Sequence, residues 1–253
     1  MGRAFEYPLA VLAGSFVLQW LTAWAGDALR KRRKLAGSGK IGDFETILPA
    51  ALTLLGLIIG FSFSMAVSRY DQRKLYEEAE ANAIGTEFLR ADVLPAAQAA
   101  RTRELLINYT EQRILYYQER DDDQLKQINA RIADLQKNLW STVAGPATAQ
   151  PSPVIALAVS GMNDVLNSQG YTQAAWWNRI PTGAWLLMAL IAAACNLLFG
   201  YSERHLSQAT LLILPLLVAF SFFLIADIDS PRRGVIRVAP QNLIALYLGL
   251  KGQ

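Results

Sequence analysis

Between residues 53 and 68, two rows of side chains carry the chemistry this sequence offers most plainly, and it is the chemistry of passage rather than of bond making. Thr53, Leu57, Phe61 and Met65 recur at every fourth position, and Gly56, Gly60, Ser64 and Ser68 do the same beside them. On a helix each set forms a stripe. A small-residue stripe lets two helices approach closely. The bulkier stripe faces either lipid or, in an oligomer, a shared axis; there, Leu57 and Phe61 repeated around a ring would form a hydrophobic constriction that gates by dewetting. Arg69, Arg73 and Lys74 follow directly, with Asp71 partly offsetting them. Around a ring they would form a charged collar at the pore mouth that concentrates anions, while their other use is to snorkel to lipid headgroups. Farther on, Glu77, Glu78 and Glu80 would favour cations.

Other reactive constellations are missing. The single cysteine, Cys195, sits in an apolar run, which excludes an intrachain disulfide and predicts a packing role; the single histidine, His205, leaves no His-rich metal site. No P-loop, HExxH, GxSxG or paired Cys/His pattern occurs, so an enzyme is the weakest reading. No apolar segment carries Asp, Glu, Lys or Arg at its middle, which favours a passive route over an ion-coupled carrier. Asp121 to Asp123 lack the spacing and glycine of a calcium loop and read as a solvated break. Asn82, Gly85 and Thr86 do not define a site, although Gly85 marks close helix packing.

These residues need a membrane scaffold to position them. Of 253 residues, 53% are hydrophobic and 18% charged, which fits a membrane protein with one sizeable aqueous domain. A formal charge of +3 is mild and does not indicate nucleic acid. Four segments approach the ~20 apolar residues a bilayer requires: Pro8 to Gly26, Phe44 to Ser68, Thr182 to Gly200 and Gln208 to Ala226. The first resembles a secretory signal at Ala23-Trp24-Ala25, but only Arg3 precedes it and "RKRRK" at Arg30 to Lys34 follows it, so it is read as a retained span. The division expected is residues 1–43 for the first span and a basic loop, 44–68 for the second span, 69–181 for a helical extramembrane domain, 182–226 for the third and fourth spans, and 227–253 for a C-terminal tail. From Phe44 to about Asp92 the only proline is Pro49, so one unbroken helix, apolar first and charged afterwards, is predicted.

The periodicity of residues 69–181 is helical. Leu105, Leu106, Tyr109, Ile114 and Tyr117 mark one apolar face; Leu125, Ile128, Ile132, Leu135 and Leu139 mark another. The two helices are expected to pack as a hairpin about Asp121 to Asp123, whose carboxylates suit a helix start. The hairpin's stripe is either core or a docking surface for a protein partner. Ala144 to Pro153 reads as a loop, Val154 to Leu166 as a helix, and Trp176-Trp177 before Pro181 as an interfacial anchor. With no convincing strand, the fold class is all-α.

"GFSFSMAVSRYDQR", Gly60 to Arg73, resembles the bestrophin segment in which a Gly-Phe pair precedes an Arg-aromatic pair at the end of the pore-lining second span. "EAEANAIGTEFLRADVLP", Glu78 to Pro95, and "DIDSPRRGVIRV", Asp227 to Val238, resemble the bacterial bestrophin-like domain family more closely. The resemblance covers residues 44 to 245. It implies a pentameric ion channel with four spans per subunit, a pore lined by the second helix and a helical cytosolic part. It also aligns Thr53, Leu57 and Phe61 with the bestrophin neck, the stripe that periodicity had already picked out. Bestrophins carry an acidic calcium clasp after the last span; here only Asp227 and Asp229 stand in that slot, beside Arg232 and Arg233. A calcium site needs about six or more oxygens, so no cofactor is expected and a helix terminus tied by salt bridges is the preferred reading.

Loop charge does not orient the chain. Arg30, Lys31, Arg32, Arg33, Lys34, Lys40 and Arg204 lie on one side, against Arg3, Arg69, Arg73, Lys74, Arg179, Arg232, Arg233 and Arg237 on the other. The density of basic residues in the first loop argues for placing that loop inside, which would send the central domain to the periplasm; the resemblance argues for the reverse, and the expectation is a bacterial inner-membrane protein with a cytoplasmic central domain. The function expected is an oligomeric passive ion channel, anion-conducting, whose partners are the bilayer, further copies of itself and inorganic ions. The competing expectation is a non-conducting scaffold or sensor that binds a protein through its helical domain.

Overall fold

The computed structural model describes residues 7–35, 42–202 and 209–252, so Arg3, Lys40, Arg204, His205 and Gln208 lie outside the described residues. The described residues fold into eight α-helices: α1 Pro8–Leu35, α2 Gly42–Arg90, α3 Ala96–Gln118, α4 Asp122–Ala149, α5 Pro153–Trp177, α6 Thr182–Ser202, α7 Thr210–Asp229 and α8 Gln241–Lys251. A 3-10 turn, Ala91–Val93, follows α2. Four helices are long and apolar enough to cross a membrane, with windows in Pro8–Arg32, Ile47–Val93, Pro153–Ser202 and Leu211–Asp229. The expected unbroken second helix is present: α2 runs for 49 residues with Pro49 inside it.

The chain divides into two compact units, Met1–Arg69 with Arg179–Arg237, and Tyr70–Asn178 with Val238–Gln253. In the first unit α1 packs on α6 and α7. Two glycines set how closely α1 and α6 approach. A Cβ at Gly26 would strike the Leu197 carbonyl, and one at Gly200 would strike the Ala23 carbonyl. Ala23, Ala192 and the predicted packing cysteine Cys195 are fully buried beside them. One polar pair is sealed in the same contact: Asn196 Nδ2 donates to Gln19 Oε1 at 3.1 Å. Trp185 meets Phe222 edge-on, which joins α6 to α7.

The second unit is a helical domain around one aromatic and aliphatic core. The predicted hairpin is there. Leu105, Leu106, Tyr109 and Tyr117 from α3 and Ile128, Ile132 and Leu139 from α4 are buried, and Ile114, Leu125 and Leu135 pack partly buried against them. The stripe is therefore core rather than a docking surface. Each fully buried leucine there stabilises by roughly 1.5–3 kcal/mol. Asp121 caps α4 by accepting from the Asp123 and Gln124 amides at 3.0 and 2.9 Å, as the acidic break predicted. Ser152 caps α5 by accepting from the Ile155 amide at 3.1 Å, with Pro153 in the first turn.

Three expectations change. The loop expected at Ala144 to Pro153 is mostly helix, because α4 continues to Ala149 through Pro146. Alanine-rich sequence favours the helix, and burial of Val143 and Pro146 offsets the lost amide donor. Trp176 is not an interfacial anchor; it is buried against the rings of Tyr116 and Tyr117. Trp177 alone of the pair is exposed, at 73%. Finally, the stretch read as a C-terminal tail contains α8, whose Leu243 and Leu250 join the core of the second unit.

Candidate pore helix and its buried charges

Helix α2 carries most of the residues singled out from sequence. In its first half the buried positions are Leu55, Ser62 and Ala66, with Ile58 and Ile59 partly covered. This seam follows alternating steps of three and four residues, the spacing of one helix face. Both predicted stripes lie away from it. Thr53, Leu57, Phe61 and Met65 are exposed, Leu57 by 53% and Phe61 by 64%, and Gly56, Gly60, Ser64 and Ser68 are exposed beside them. Nothing lies within 4 Å of a Cβ built on Gly56 or Gly60. Among the described residues Gly56 and Gly60 therefore make no close helix contact, whereas Gly26 and Gly200 do. Thr53 donates its hydroxyl to the Pro49 carbonyl of its own helix at 2.9 Å, so the hydroxyl proton is already engaged.

The three basic residues after the span do not share one environment. Arg69 reaches Asp229 at 3.5 Å with both side chains largely covered. Arg73 is 2% exposed, and of the three only Lys74 is exposed. An open collar of all three side chains is therefore not what the single chain presents.

Asp227 and Asp229 end the last apolar helix and hold the backbone that follows. Asp227 accepts from the Val235 and Ile236 amides at 2.7 and 2.8 Å. Asp229 accepts from the Ile180 amide at 3.1 Å as well as from Arg69. The intervening turn is tight: a Cβ at Gly234 would strike the Asp227 carbonyl. Both carboxylates are thus occupied by N–H groups and a guanidinium. A calcium ion requires oxygens that are free to face it, and this donor set does not fit one. No group of three or more His, Cys, Asp or Glu converges among the described residues.

Sequence reasoning missed what the second half of α2 does. Glu77 and Glu80, read as stalk carboxylates near a permeation path, are buried, and of the three acids only Glu78 is exposed. Glu77 caps α8, accepting from the Leu243 amide at 2.9 Å and from Asn242 Nδ2 at 2.6 Å. Pro240, before α8, provides no side-chain cap, so a carboxylate from another helix takes that role. Glu80 and Arg113 form an ion pair with both side chains fully buried. Arg113 adds a second bond to Glu80 at 3.1 Å, Thr172 donates to Glu80 at 3.1 Å, and the guanidinium lies 4.5 Å from the Tyr116 ring centre. Burial works against the charge on Arg113, but the Glu80 carboxylate overcomes it and holds the guanidinium protonated well above its ordinary range. Burial, reinforced by Glu80, pushes the Tyr117 phenol up. Burial likewise raises Tyr109.

Glu87 is different. It is fully buried, and neither carboxyl oxygen has a hydrogen-bond partner among the described residues. Burial pushes its pKa from 4.5 up to about 8, with Arg90 pulling down and Asp164 pushing up. A signal for all three acids was present in the sequence. Residues 73, 77, 80, 84, 87 and 91 continue the three-four spacing of the buried seam, and every one of them is buried. Gly85, expected to mark close packing, lies against α8, where a Cβ would meet Leu246 Cδ1 at 3.1 Å.

A family model described as Bestrophin-like domain matches residues 13–243. The crystal structure of a bacterial Bestrophin homolog from Klebsiella pneumoniae superposes with a TM-score of 0.66 at 13% identity, covering 95% of this chain and 98% of that one. A point mutant of a bacterial Bestrophin homolog from the same organism gives a TM-score of 0.68 at 12% identity over 96% of this chain and 99% of that one. At such identities the likeness is one of fold. No curated protein matches the chain.

Proposed function

The chain belongs to the Bestrophin-like domain family, and from that premise we propose that it assembles into a homo-oligomer, a pentamer, and conducts ions passively along a central axis lined by α2. In this reading Thr53, Leu57, Phe61 and Met65 form the neck. The observation that carries it is the uncharged face of α2, exposed in the single chain and turned away from the seam that its own chain buries. A continuous apolar face passes ions only when wetted, so such a neck works as a gate rather than as a binding site. Gly56, Gly60, Ser64 and Ser68, open beside the neck, supply the close approach that adjacent copies of α2 need. Lys74 is the exposed positive charge near the mouth and, with Arg69 and Arg73 adding longer-range potential, favours anions. In the same reading the protein sits in a bacterial inner membrane with its helical domain in the cytoplasm; protease protection in sealed vesicles tests that orientation.

The deciding experiment is single-channel recording of the purified oligomer in planar bilayers. Discrete currents are expected, with conductance raised by Leu57→Ala. A protein that is monomeric in nanodiscs by mass photometry, or a correctly assembled oligomer that passes no current, overturns the proposal.

A further inference from the structure

We propose that the Glu87 carboxyl is a proton-operated latch between α2 and α5: seated and neutral, it lets the two helices close on each other, and on ionising it loosens their contact. The site is built by a glycine. At Gly161 of α5 a Cβ would collide with the Glu87 carboxyl and with the Arg90 guanidinium, so any other residue there would displace both. The carboxyl is consequently pressed against α5 backbone, fully buried, with no hydrogen bond to either oxygen among the described residues. A neutral carboxyl tolerates that position; a carboxylate loses its hydration there and gains in return only the attraction of the nearby Arg90 charge, with no hydrogen bond.

The charged neighbours leave this imbalance in place. Arg90, one turn along α2, lowers the proton affinity of Glu87 without bonding to it, and Asp164 on α5 raises it. Arg103 on α3 is engaged with Asp92 and lies over the Phe88 ring. A cavity of about 260 Å³, lined by Asn82, Ala83, Thr86, Arg90, Gly161 and Asp164, adjoins the seat through Gly161. It is large enough to admit several water molecules at about 30 Å³ each, so the latch has a place to open into and a supply of water for the ionised group.

The direction follows from the raised proton affinity. Glu87 binds its proton up to about pH 8 when seated, against about 4.5 ordinarily. The closed contact is therefore at full strength below pH 4.5 and weakens as pH rises towards 8. Native-state hydrogen exchange of the α5 amides around Gly161, in nanodiscs and corrected for intrinsic rates, reads this opening. In the wild type the opening constant is expected to rise between pH 5 and 8 by up to about tenfold per unit. In Glu87→Gln, which keeps the shape and cannot ionise, the dependence is expected to vanish. Asp164→Asn, at an exposed position, is expected to leave the onset of the wild-type rise in place and make it level off at lower pH, which keeps the test decisive if the glutamine variant is poorly folded. Parallel profiles in wild type and Glu87→Gln, or no earlier levelling in Asp164→Asn, overturn the proposal. The readout needs no current, so its outcome is separate from that of the channel reading.

Discussion

Between Leu54 and Met65, helix α2 leaves leucine, phenylalanine and methionine side chains exposed, whereas between Arg73 and Glu87 it hides an arginine and three glutamates. The period of the buried face is the same in both stretches, so the difference lies in which side chains occupy it. In the first stretch an apolar side chain gains little by turning inward, because lipid is as apolar as a protein core. Shape alone decides, and small residues such as Ser62 and Ala66 take the buried positions. In the second stretch water competes for every carboxylate, and an acid can be buried only where a partner replaces its hydration. Glu77 has an amide and a side-chain donor, and Glu80 has an arginine. Glu87 has neither and stays neutral instead. One helix thus shows three ways of hiding a carboxyl: capping, pairing and protonation.

The largest break in this comparison comes from removing the paired charge. Arg113→Met is expected to destabilise the protein by about 3–5 kcal/mol, because it removes the charged partner of Glu80, which is fully buried. Glu80→Leu combined with Arg113→Met is expected to recover most of that loss, since an apolar pair of similar volume needs no compensation. Denaturant unfolding in detergent, followed by tryptophan fluorescence, measures both. A single variant as stable as the wild type would mean that Glu80 reaches solvent.

The glycines give the next largest effect and carry the comparison into the first unit. Gly200→Val is expected to cost about 1–3 kcal/mol, the usual penalty for overpacking, because its Cβ strikes the Ala23 carbonyl. Gly60→Val, on the face with nothing within 4 Å, is expected to leave the folding of the single chain intact while weakening assembly. Thermal unfolding and mass photometry of both variants separate the two effects. Equal loss of stability in both would show that the stripe on α2 is packed within the chain after all.

These contrasts also explain what the sequence made legible. The length of α2, the hairpin of α3 and α4 and the cap at Asp121 were readable because each depends on neighbours within a turn or two. The neck stripe was readable as a pattern, since its spacing is a property of one helix. The use of a glycine was not: Gly56 and Gly60 carry the more obvious small-residue spacing, yet Gly26 and Gly200 make the contact, and only a partner's backbone decides that. The buried acids were misread because a carboxylate is ordinarily counted as solvent-facing. Their seam spacing carried the signal, but Arg113, Asn242 and Gly161 stand far along the chain from the acids they meet.

A smaller effect is expected where a carboxylate caps rather than pairs. Glu77→Ala removes the acceptor from the Leu243 amide and is expected to cost about 0.5–2 kcal/mol, in the range of a lost helix cap. Its signature is local: faster hydrogen exchange in α8 with little change in α3 and α4. Uniformly faster exchange across the second unit would instead assign Glu77 to the core that Glu80 serves.

The smallest effect on stability, and the most informative about function, belongs to the exposed apolar face. Phe61→Ala removes a large ring, but a ring 64% exposed in the single chain has few protein contacts to lose, so the change in folding stability is expected to stay within about 0.5 kcal/mol. Conductance is expected to respond much more strongly, because widening a hydrophobic constriction favours its wetting and does so cooperatively around a ring. Phe63→Ala provides the control: it is also exposed, at 42%, but lies off the Thr53–Met65 stripe, and its truncation should leave current unchanged. If the two phenylalanines behave alike in bilayer recordings, the stripe has no special relation to an axis, and the exposed half of α2 is simply the face it shows to lipid.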